Sequence, residues 1–315
     1  MPKQVLLTLR LPPRLLLRQL LALMLCMAAA MSAASMPRVL VMGVISDNPS
    51  DDIARLKPMA AYVQTALAST GIENVEVLVV PDRNQMINLL RDGRIDWVSE
   101  TAFGAIYLQE RANARLLTRK WKDGAATYRS IFFARKDSPV NEIIDLRDRV
   151  LAFEHRNSTS AFFMPASIMS SMSLPLESLS TPRETPRDGS FGYVYSGNEY
   201  NTAIWVHKGL VDAGVLSNTD WQNTSMIAPE IIADLKVFAR SDELPRAIEV
   251  VRGDLDAELV ARLRNILQTM HTDPEAADAL AAYHNTTRFD ELSEDDRLTL
   301  ASIGESLPAF AEQFP

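Results

Sequence analysis

Cysteine and histidine are both scarce in this sequence. Its 315 residues include one cysteine, Cys26, and four histidines. A single cysteine cannot form an internal disulfide, so the fold must depend on an ordinary hydrophobic core. The histidines show no metal-ligand spacing, and neither a glycine-rich phosphate loop nor a G-x-S-x-G sequence is present. We therefore expect no metal, no cofactor and no enzyme of these common classes.

The amino terminus differs from the rest of the chain. Four basic residues and no acidic ones precede an apolar run at 20–30, and small residues follow around Ala34. This pattern is typical of a secretory signal peptide, which we assign to residues 1–35, with cleavage after Ala34 or Ser35. Cys26 lies inside this segment. An uncleaved anchor is the alternative interpretation.

Acidic residues outnumber basic ones, 40 against 32, and the formal net charge is −8. Removal of the four positive charges of the leader takes this charge to −12. A chain this acidic is a poor partner for nucleic acid or for an anionic membrane surface. After the leader, no run is long and apolar enough to span a bilayer. The composition favours an exported globular protein with room for two lobes.

Short apolar runs alternate with segments of helical period from Pro37 onward. Strands are predicted at 39–45, 75–80, 95–99 and 116–120, with helices between them. The first helix is predicted to begin at Pro58 and the last to end near Ser306. This alternation indicates a parallel sheet with helices on its faces. The segment Leu174–Gly189 has no periodicity, which predicts a connecting loop.

Two similar strands, Ser130–Arg135 and Leu235–Ala239, flank a complete α/β segment. We therefore predict an α/β fold of two lobes. Residues 36–129 and 236–315 would form the first lobe with the carboxyl-terminal helices, and residues 130–235 the second. Two crossing strands would form the hinge, and a small ligand would bind in the cleft between the lobes.

The segment Phe153–Pro165, FEHRNSTSAFFMP, joins a strand end to a helix start. Ser158 is a favoured N-cap residue. The first helical turn has free N–H groups and the positive end of the helix dipole, so it suits an anion. Ala161 stands where a capping box would place Glu or Gln, which leaves the turn open to an anion from outside. An ordinary N-cap without a ligand is the alternative interpretation.

Other polar side chains follow strands at their carboxyl ends, where ligands of open α/β sheets bind. The complete set of candidate ligand-binding residues is Asn157, Ser158, Thr159, Ser160, Glu100, Thr101, Glu199, Tyr200, Asn218 and Asp220. Tyr200, Trp221 or Trp121 would supply an aromatic wall. Acids beside an anion-binding helix start suit a ligand with a negative and a positive end.

The S-T-S at 158–160 resembles the anion-binding motif of the periplasmic phosphate, phosphite and phosphonate-binding proteins of ABC importers. The resemblance covers nearly the whole mature chain and includes RLKPMAAYVQTAL, LLRDGRIDWV, LAFEHRNSTSAFFMP, SGNEYNTAIWVHKGLVDAGVLSNTDW and DLDAELVARLRNILQTMHTDPEA. It implies a type II periplasmic-binding-protein fold, no catalysis, and phosphoryl contacts from Ser158, Thr159 and Ser160. It also implies a periplasmic carrier that delivers its ligand to a membrane permease. We expect this carrier to be a monomer.

The sequence departs from this family pattern in two places. SETAFGA stands where many members have Gly-Pro and an aromatic, and Glu199 stands where many have a histidine. A carboxylate repels a phosphonate dianion unless one group is protonated or a cation lies between them. Glu100 and Glu199 would instead pair with an amine of the ligand. The ligand class therefore stays open among phosphonate, phosphite, phosphate and phosphate esters.

Two other functions remain as alternatives at this level. One is a periplasmic sensor subunit for a kinase or a chemoreceptor. The other is an enzyme on the same fold, similar to the thiamine-pyrimidine synthesis proteins. Those enzymes depend on histidine and metal chemistry inside the cell, which the leader and the scarce histidines disfavour.

Overall fold

Two six-stranded sheets with helices packed on them build the part of the chain that the structure describes. The computed structural model describes residues 38–46, 48–172 and 175–314. The predicted signal peptide, and Cys26 with it, lies outside the described residues. Residues from Val39 onward form one unit. We call the two sheets with their helices the first and second lobes.

The strands and helices alternate over much of the described part of the chain, as the apolar pattern predicts. The strands are β1 Arg38–Ile45, β2 Ile72–Val80, β3 Trp97–Glu100, β4 Arg115–Lys122, β5 Thr127–Tyr128, β6 Ser130–Arg135, β7 Val150–Phe153, β8 Leu176–Ser178, β9 Phe191–Tyr195, β10 Ala213–Ser217, β11 Leu235–Arg240, β12 Leu244–Pro245, β13 Ala247–Val251 and β14 Thr286–Asp290. The helices are α1 Pro49–Leu67, α2 Arg83–Arg91, α3 Ala102–Ala112, α4 Met164–Ser171, α5 Glu199–His207, α6 Asn218–Gln222, α7 Pro229–Ala233, α8 Ala257–Thr269, α9 Ala277–Ala282 and α10 Glu294–Gln313. The alternation is interrupted where β4 to β6 and β11 to β13 follow one another without a helix between them.

The first lobe is built on the sheet β14-β4-β13-β3-β1-β2. Strand β1 runs parallel to β3, with Met42 opposite Trp97, but β13 runs antiparallel to both β3 and β4. The prediction of a parallel sheet is therefore right for only part of this lobe. The reason is connectivity, because β13 enters the sheet on the chain's return from the second lobe.

The second lobe is built on the sheet β11-β6-β10-β7-β9-β8. Strand β7 is parallel to β10 and β9, whereas β6 and β11 are antiparallel to their neighbours. Strand β8 pairs with β9 inside the segment predicted to be a structureless loop. That prediction was wrong for Leu176–Ser178, because three residues are too few to show a periodicity.

A two-stranded ribbon connects the lobes. Strands β5 and β12 pair antiparallel, with Leu244 opposite Tyr128. Beyond the ribbon, the Arg246 amide donates to the Ala126 carbonyl at 2.8 Å. Strand β11 belongs to the second sheet, so the second crossing follows Arg240 instead of falling at the predicted boundary at 235.

Two helices extend beyond their predicted bounds and contain a proline. Helix α1 begins at Pro49 and contains Pro58, which was predicted to be its start. Helix α10 contains Pro308 and ends at Gln313, beyond the predicted end near Ser306. Each internal proline removes one backbone hydrogen bond. Burial of Met59 and Phe310 on the same helices offsets that cost.

Helix α10 packs against both lobes through its last turns. The Phe310 ring centroid lies 5.8 Å from that of Phe103 in the first lobe and 4.7 Å from that of Phe163 in the second. Phe103 and Phe163 themselves stack at 4.3 Å. One apolar cluster therefore spans the two lobes beside the cleft.

Candidate ligand-binding cleft

A cavity of about 540 Å³ lies between the lobes. The first lobe lines it with the ends of β1, β3 and β4 and the start of α2, and the second lobe with the loops after β7 and β9. Three predicted site residues, Glu100, Thr101 and Asn157, line it directly.

The S-T-S segment forms the start of the helix that was predicted there. The Ser158 hydroxyl accepts a hydrogen bond from the Ala161 amide at 3.1 Å, which confirms Ser158 as the N-cap residue. The next turn, Thr159–Phe163, is π-helical and continues into α4. Ser158, Thr159 and Ser160 are all buried.

Two helix starts from opposite lobes meet beside the cleft. The amide of Phe103, in the first turn of α3, donates to the Thr159 hydroxyl at 3.2 Å. Thr101 is the N-cap residue of α3, but its side chain makes no capping bond. Its buried hydroxyl has no hydrogen-bond partner among the residues the structure describes. The positive ends of two helix dipoles therefore converge at the position that the motif predicts for an anion.

Four cationic side chains line the same cavity: Arg83, Lys120, Lys122 and Arg246. Burial lowers the pKa of Lys120 to about 8. Burial also lowers the pKa of Lys122, and the charge of Arg246 adds to that effect. None of these four cations is among the site residues predicted from the sequence. Lys120 and Lys122 stand two residues apart on a strand and so share one face, which is the signal that would have found them.

The hinge contributes a phenol next to the helix start. The Arg246 guanidinium carbon lies 4.7 Å from the centroid of the Tyr128 ring. Burial raises the pKa of Tyr128, and Arg246 and the hydroxyls of Ser160 and Thr159 oppose that rise. The Tyr128 hydroxyl is thus close to both hydroxyls, although it makes no well-formed hydrogen bond to any described residue.

The Glu100 side chain lies against the first turn of α3. Its Oε2 accepts from the Thr101 amide at 3.3 Å. A Cβ at Gly104 would lie 2.0 Å from that same oxygen, so the carboxylate occupies the space that glycine leaves. Burial raises the pKa of Glu100, which favours its neutral form.

Glu199 belongs to a pair of carboxylates on the second lobe. Gly197, with φ +87°, donates its amide to the Glu154 carbonyl at 2.9 Å and so joins the two loops. Burial raises the pKa of Glu199 to about 6, and the charge of Glu154 adds to the rise. Burial also opposes ionisation of Glu154, but His155, 3.1 Å away, holds the pKa of Glu154 below its usual value.

The other seven predicted site residues are not part of the cavity lining: Ser158, Thr159, Ser160, Glu199, Tyr200, Asn218 and Asp220. Asn218 accepts from the Arg129 amide at 2.8 Å through its side-chain oxygen and so supports the hinge. The Asp220 carboxylate accepts from the Ser217 hydroxyl at 2.5 Å in the first turn of α6. Tyr200 is 49% exposed on α5.

The predicted aromatic wall is not formed in the cavity. Trp221 packs on Phe133 at 5.0 Å between ring centroids, in the core of the second lobe. Trp121 donates to Asp290 at 2.9 Å. Because side chains alternate along a strand, Trp121 lies on the face of β4 opposite to Lys120.

His284 also lines the cavity. It follows α9 in a left-handed conformation, with φ 55°. Burial and the nearby Lys120 and Lys122 lower its pKa to about 3. His284 is therefore a neutral donor or acceptor in the cavity.

The described residues hold no cluster of three or more His, Cys, Asp or Glu side chains arranged to bind a metal ion. Among the helices of this part of the chain, none combines the length and the apolar character needed to cross a membrane.

Residues 42–297 match the family model described as "ABC transporter, phosphonate, periplasmic substrate-binding protein". The chain belongs to this family. Members are substrate-binding components of ABC transporters, which agrees with the resemblance found in the sequence. The type II periplasmic-binding-protein fold that the resemblance implies is confirmed.

Individual family relatives show the same relationship. The curated phosphonates-binding periplasmic protein of Escherichia coli (strain K12) is 25% identical over 249 residues, which cover 77% of this chain and 69% of that protein. A solved structure of XAC2383 from Xanthomonas citri bound to ATP is 35% identical, with a TM-score of 0.83 over 88% of this chain and 99% of that chain. A second structure of XAC2383 is bound to chloride ion and has a TM-score of 0.82.

The fold extends to more distant solved structures. PhnD1 from Prochlorococcus marinus (MIT 9301), in complex with methylphosphonate, has a TM-score of 0.63 at 19% identity. The match covers 87% of this chain and 99% of that one. At this identity the likeness concerns the architecture of the two lobes.

Proposed function

We propose that this protein captures a phosphorus oxyanion in the interlobe cleft and delivers it to the membrane permease of an ABC importer. The observation that carries the proposal is the convergence of two helix starts with a cluster of cations. The helix starts are those at Thr101 and at 158–160. The cations are Arg83, Lys120, Lys122 and Arg246.

A phosphoryl group matches this arrangement chemically. Its oxygens accept several hydrogen bonds at once, and it carries close to two negative charges at neutral pH. Helix-start amides and hydroxyls supply the donors, and lysine and arginine supply the compensating charge. Lys120 pairs with Glu249, and the three other cations exceed what one monoanion would balance. Burial raises the pKa of Glu100, which weakens the repulsion between this carboxyl and a bound anion.

Within phosphorus compounds, we favour an organic phosphate ester over a bare phosphonate. A cavity of about 540 Å³ falls in the range typical of sites for multi-ring ligands, and methylphosphonate would fill only a small part of it. The Xanthomonas citri relative, bound to ATP in one structure, supports a nucleotide as a candidate. Glu154 and Glu199 lie on the second lobe as a pair, where they would contact the organic part.

The test is isothermal titration calorimetry with a ligand panel. It comprises phosphate, phosphite, methylphosphonate, aminoethylphosphonate, AMP and ATP, with sulfate for comparison. We expect AMP or ATP to bind at least tenfold more tightly than methylphosphonate. Absence of binding across all six phosphorus compounds would contradict the proposal, and a tightest ligand that is not a phosphate ester would contradict the ester preference.

A double variant tests the helix start. Ser158→Ala with Thr159→Ala removes two hydroxyls that would contact the anion, each worth about 1.5–3 kcal/mol. Affinity should fall more than about 100-fold, while loss of the cap costs about 1 kcal/mol of stability. Ser293→Ala is the matched control, because Ser293 caps α10 by the same bond, to the Asp296 amide at 3.1 Å. The control should lose stability and keep affinity; unchanged affinity in the double variant refutes the assignment.

A further inference from the structure

Beneath the cleft lies a fully buried carboxylate that belongs to no predicted site. Glu249, on the central strand β13, has 0% of its surface exposed. Its Oε2 accepts hydrogen bonds from the Trp97 indole at 2.5 Å and from the Tyr283 hydroxyl at 2.9 Å. Its Oε1 lies 3.6 Å from the Lys120 ammonium. A buried carboxylate costs several kcal/mol of desolvation unless it is compensated in this way.

Three adjacent strands bring the lysine and the carboxylate together. Glu249 stands opposite Ser99 on β3 and opposite Thr118 on β4, two residues before Lys120. The Lys120 ammonium donates to the Ser99 hydroxyl at 2.5 Å and lies 4.2 Å from the centroid of the Tyr283 ring. Lys120 is 2% exposed, yet it lines the cleft. The Lys120 ammonium thus contacts Ser99, Tyr283 and Glu249 on one side, and the cavity lies next to the lysine.

We propose that Lys120 contacts the captured anion, that Glu249 is the positioning residue that holds it there, and that anion binding is coupled to proton uptake by Lys120. This rests on the proposed function, because it takes the anion of the cleft to be a phosphoryl group. It adds a buried determinant of affinity and a pH dependence that the helix start alone does not have.

The charges around the ammonium set the direction of the coupling. Burial lowers the pKa of Lys120 to about 8; Glu249 opposes this effect, and Lys122 and Arg246 add to it. The ionisable groups that face it from the packed elements are Glu249, Glu100, Tyr283, His284, Lys122 and Arg246. Of these, Tyr283 and His284 are neutral near pH 8, because their pKa values are raised well above 10 and lowered to about 3, respectively.

A phosphoryl dianion in the cavity places new negative charge beside this lysine and raises its pKa. Near pH 8 about half of the ligand-free molecules carry the ammonium, so binding takes up about half a proton per site. Affinity should be greatest below pH 8 and should fall by up to about tenfold per pH unit above it. AMP is a suitable probe, because its phosphate, with a second pKa near 6, is already fully ionised over this range.

The first experiment needs no ligand. Lysine 13Cε resonances are followed by NMR from pH 6 to 11 in the labelled mature protein, and Lys120→Met identifies the signal of Lys120. We expect a midpoint near pH 8 in the wild-type protein and a lower midpoint in Glu249→Gln, which removes the opposing charge. A midpoint near 10.4, the ordinary value for lysine, in both proteins would overturn the proposal.

The second experiment measures AMP binding by calorimetry at pH 8 in Tris and in HEPES, whose ionisation enthalpies differ. The difference in heat gives the number of protons taken up. We expect about half a proton for the wild-type protein and close to zero for Lys120→Met. The AMP Kd of Lys120→Met should also be nearly constant from pH 7.5 to 9.5, and equal uptake in the two proteins refutes the coupling.

Two further variants separate this role from a structural one. The double variant Lys120→Met with Glu249→Gln removes both charges and leaves no unpaired buried ion. It should therefore fold even if one of the single variants fails to fold. It should behave like Lys120→Met. Asp96→Asn breaks another ion pair of a buried carboxylate, Asp96 with the partly exposed Arg252 at 2.6 Å, and neither residue lines the cavity. That control should lose stability but keep both the AMP affinity and the proton uptake.

The two proposals fail in different ways. If no phosphorus ligand gives heat with the wild-type protein, the proposed function is refuted and the coupling to an anion falls with it. The NMR midpoint still decides whether Glu249 sets the charge of Lys120. If AMP binds but the uptake does not depend on Lys120, only the further inference is refuted.

Discussion

Glu199 provides a quantitative test of the electrostatics of the second lobe. Burial and the neighbouring Glu154 raise its pKa from 4.5 to about 6. The folded protein therefore binds a proton at this site more tightly than the unfolded chain does. The resulting destabilisation is absent below the unfolded pKa near 4.5, grows as the pH rises, and is complete above about 6.

The magnitude follows from the shift. About 1.5 pKa units correspond to about 2 kcal/mol, since one unit is 1.36 kcal/mol. Glu199 is only partly buried, so solvent screening reduces this figure to about 1 kcal/mol. Glu199→Gln keeps the shape of the side chain and removes its charge. It should raise the free energy of unfolding by about 1 kcal/mol at pH 7.5 and by nearly nothing at pH 4.5.

Urea unfolding followed by circular dichroism at the two pH values measures this difference directly. Thermal unfolding should show the same effect as a rise in Tm of about 2–4 °C at pH 7.5. Glu230→Gln, an exposed acid in α7, serves as the control and should change neither value. An equal stabilisation by Glu199→Gln at both pH values would refute the reasoning, because the effect would then not depend on the charge of the carboxylate.

Two further predictions concern packing at the cleft. Gly104→Ala places a Cβ on the Glu100 carboxylate and should displace that side chain. The AMP Kd measured by calorimetry should then change by at least about threefold. An unchanged Kd would show that Glu100 does not shape the site. Phe310→Ala removes the ring that packs on both Phe103 and Phe163 and should lower the free energy of unfolding in urea by about 3 kcal/mol. Leu298→Ala, on the exposed face of α10, is the control and should lower it by less than about 0.5 kcal/mol. Similar losses for the two variants would contradict the role assigned to Phe310.

Much of the fold follows from local pattern. Apolar runs of strand length, such as Val150–Phe153, and helix-period segments such as the one at Arg83–Arg91, form where they were predicted. Ser158 caps its helix because a hydroxyl at that position satisfies a free amide wherever the helix is placed. Boundaries were less predictable at Pro58 and Pro308, where burial of neighbouring side chains outweighs the cost of an internal proline.

Only some of the residues of the candidate site could be predicted from local pattern. Glu100, Thr101 and Asn157 line the cleft because strand and helix ends in α/β folds cluster at one edge. Trp221 and Tyr200 do not, since the direction of a side chain on a short helix depends on the packing around it. The cations of β4 were not predicted, because the position of the strand in the sheet decides which of its faces meets the cleft.

The α/β class, the helix start at 158–160 and the family could all be predicted from the sequence, because each depends on local pattern or on the order of residues. The partners of that helix start could not, because they depend on the tertiary fold. Phe103, Lys120 and Arg246 approach the site through strand register and a hinge that joins segments more than 100 residues apart. Whether Glu249 pairs with Lys120 was likewise decided by the alignment of three strands, which no local pattern specifies.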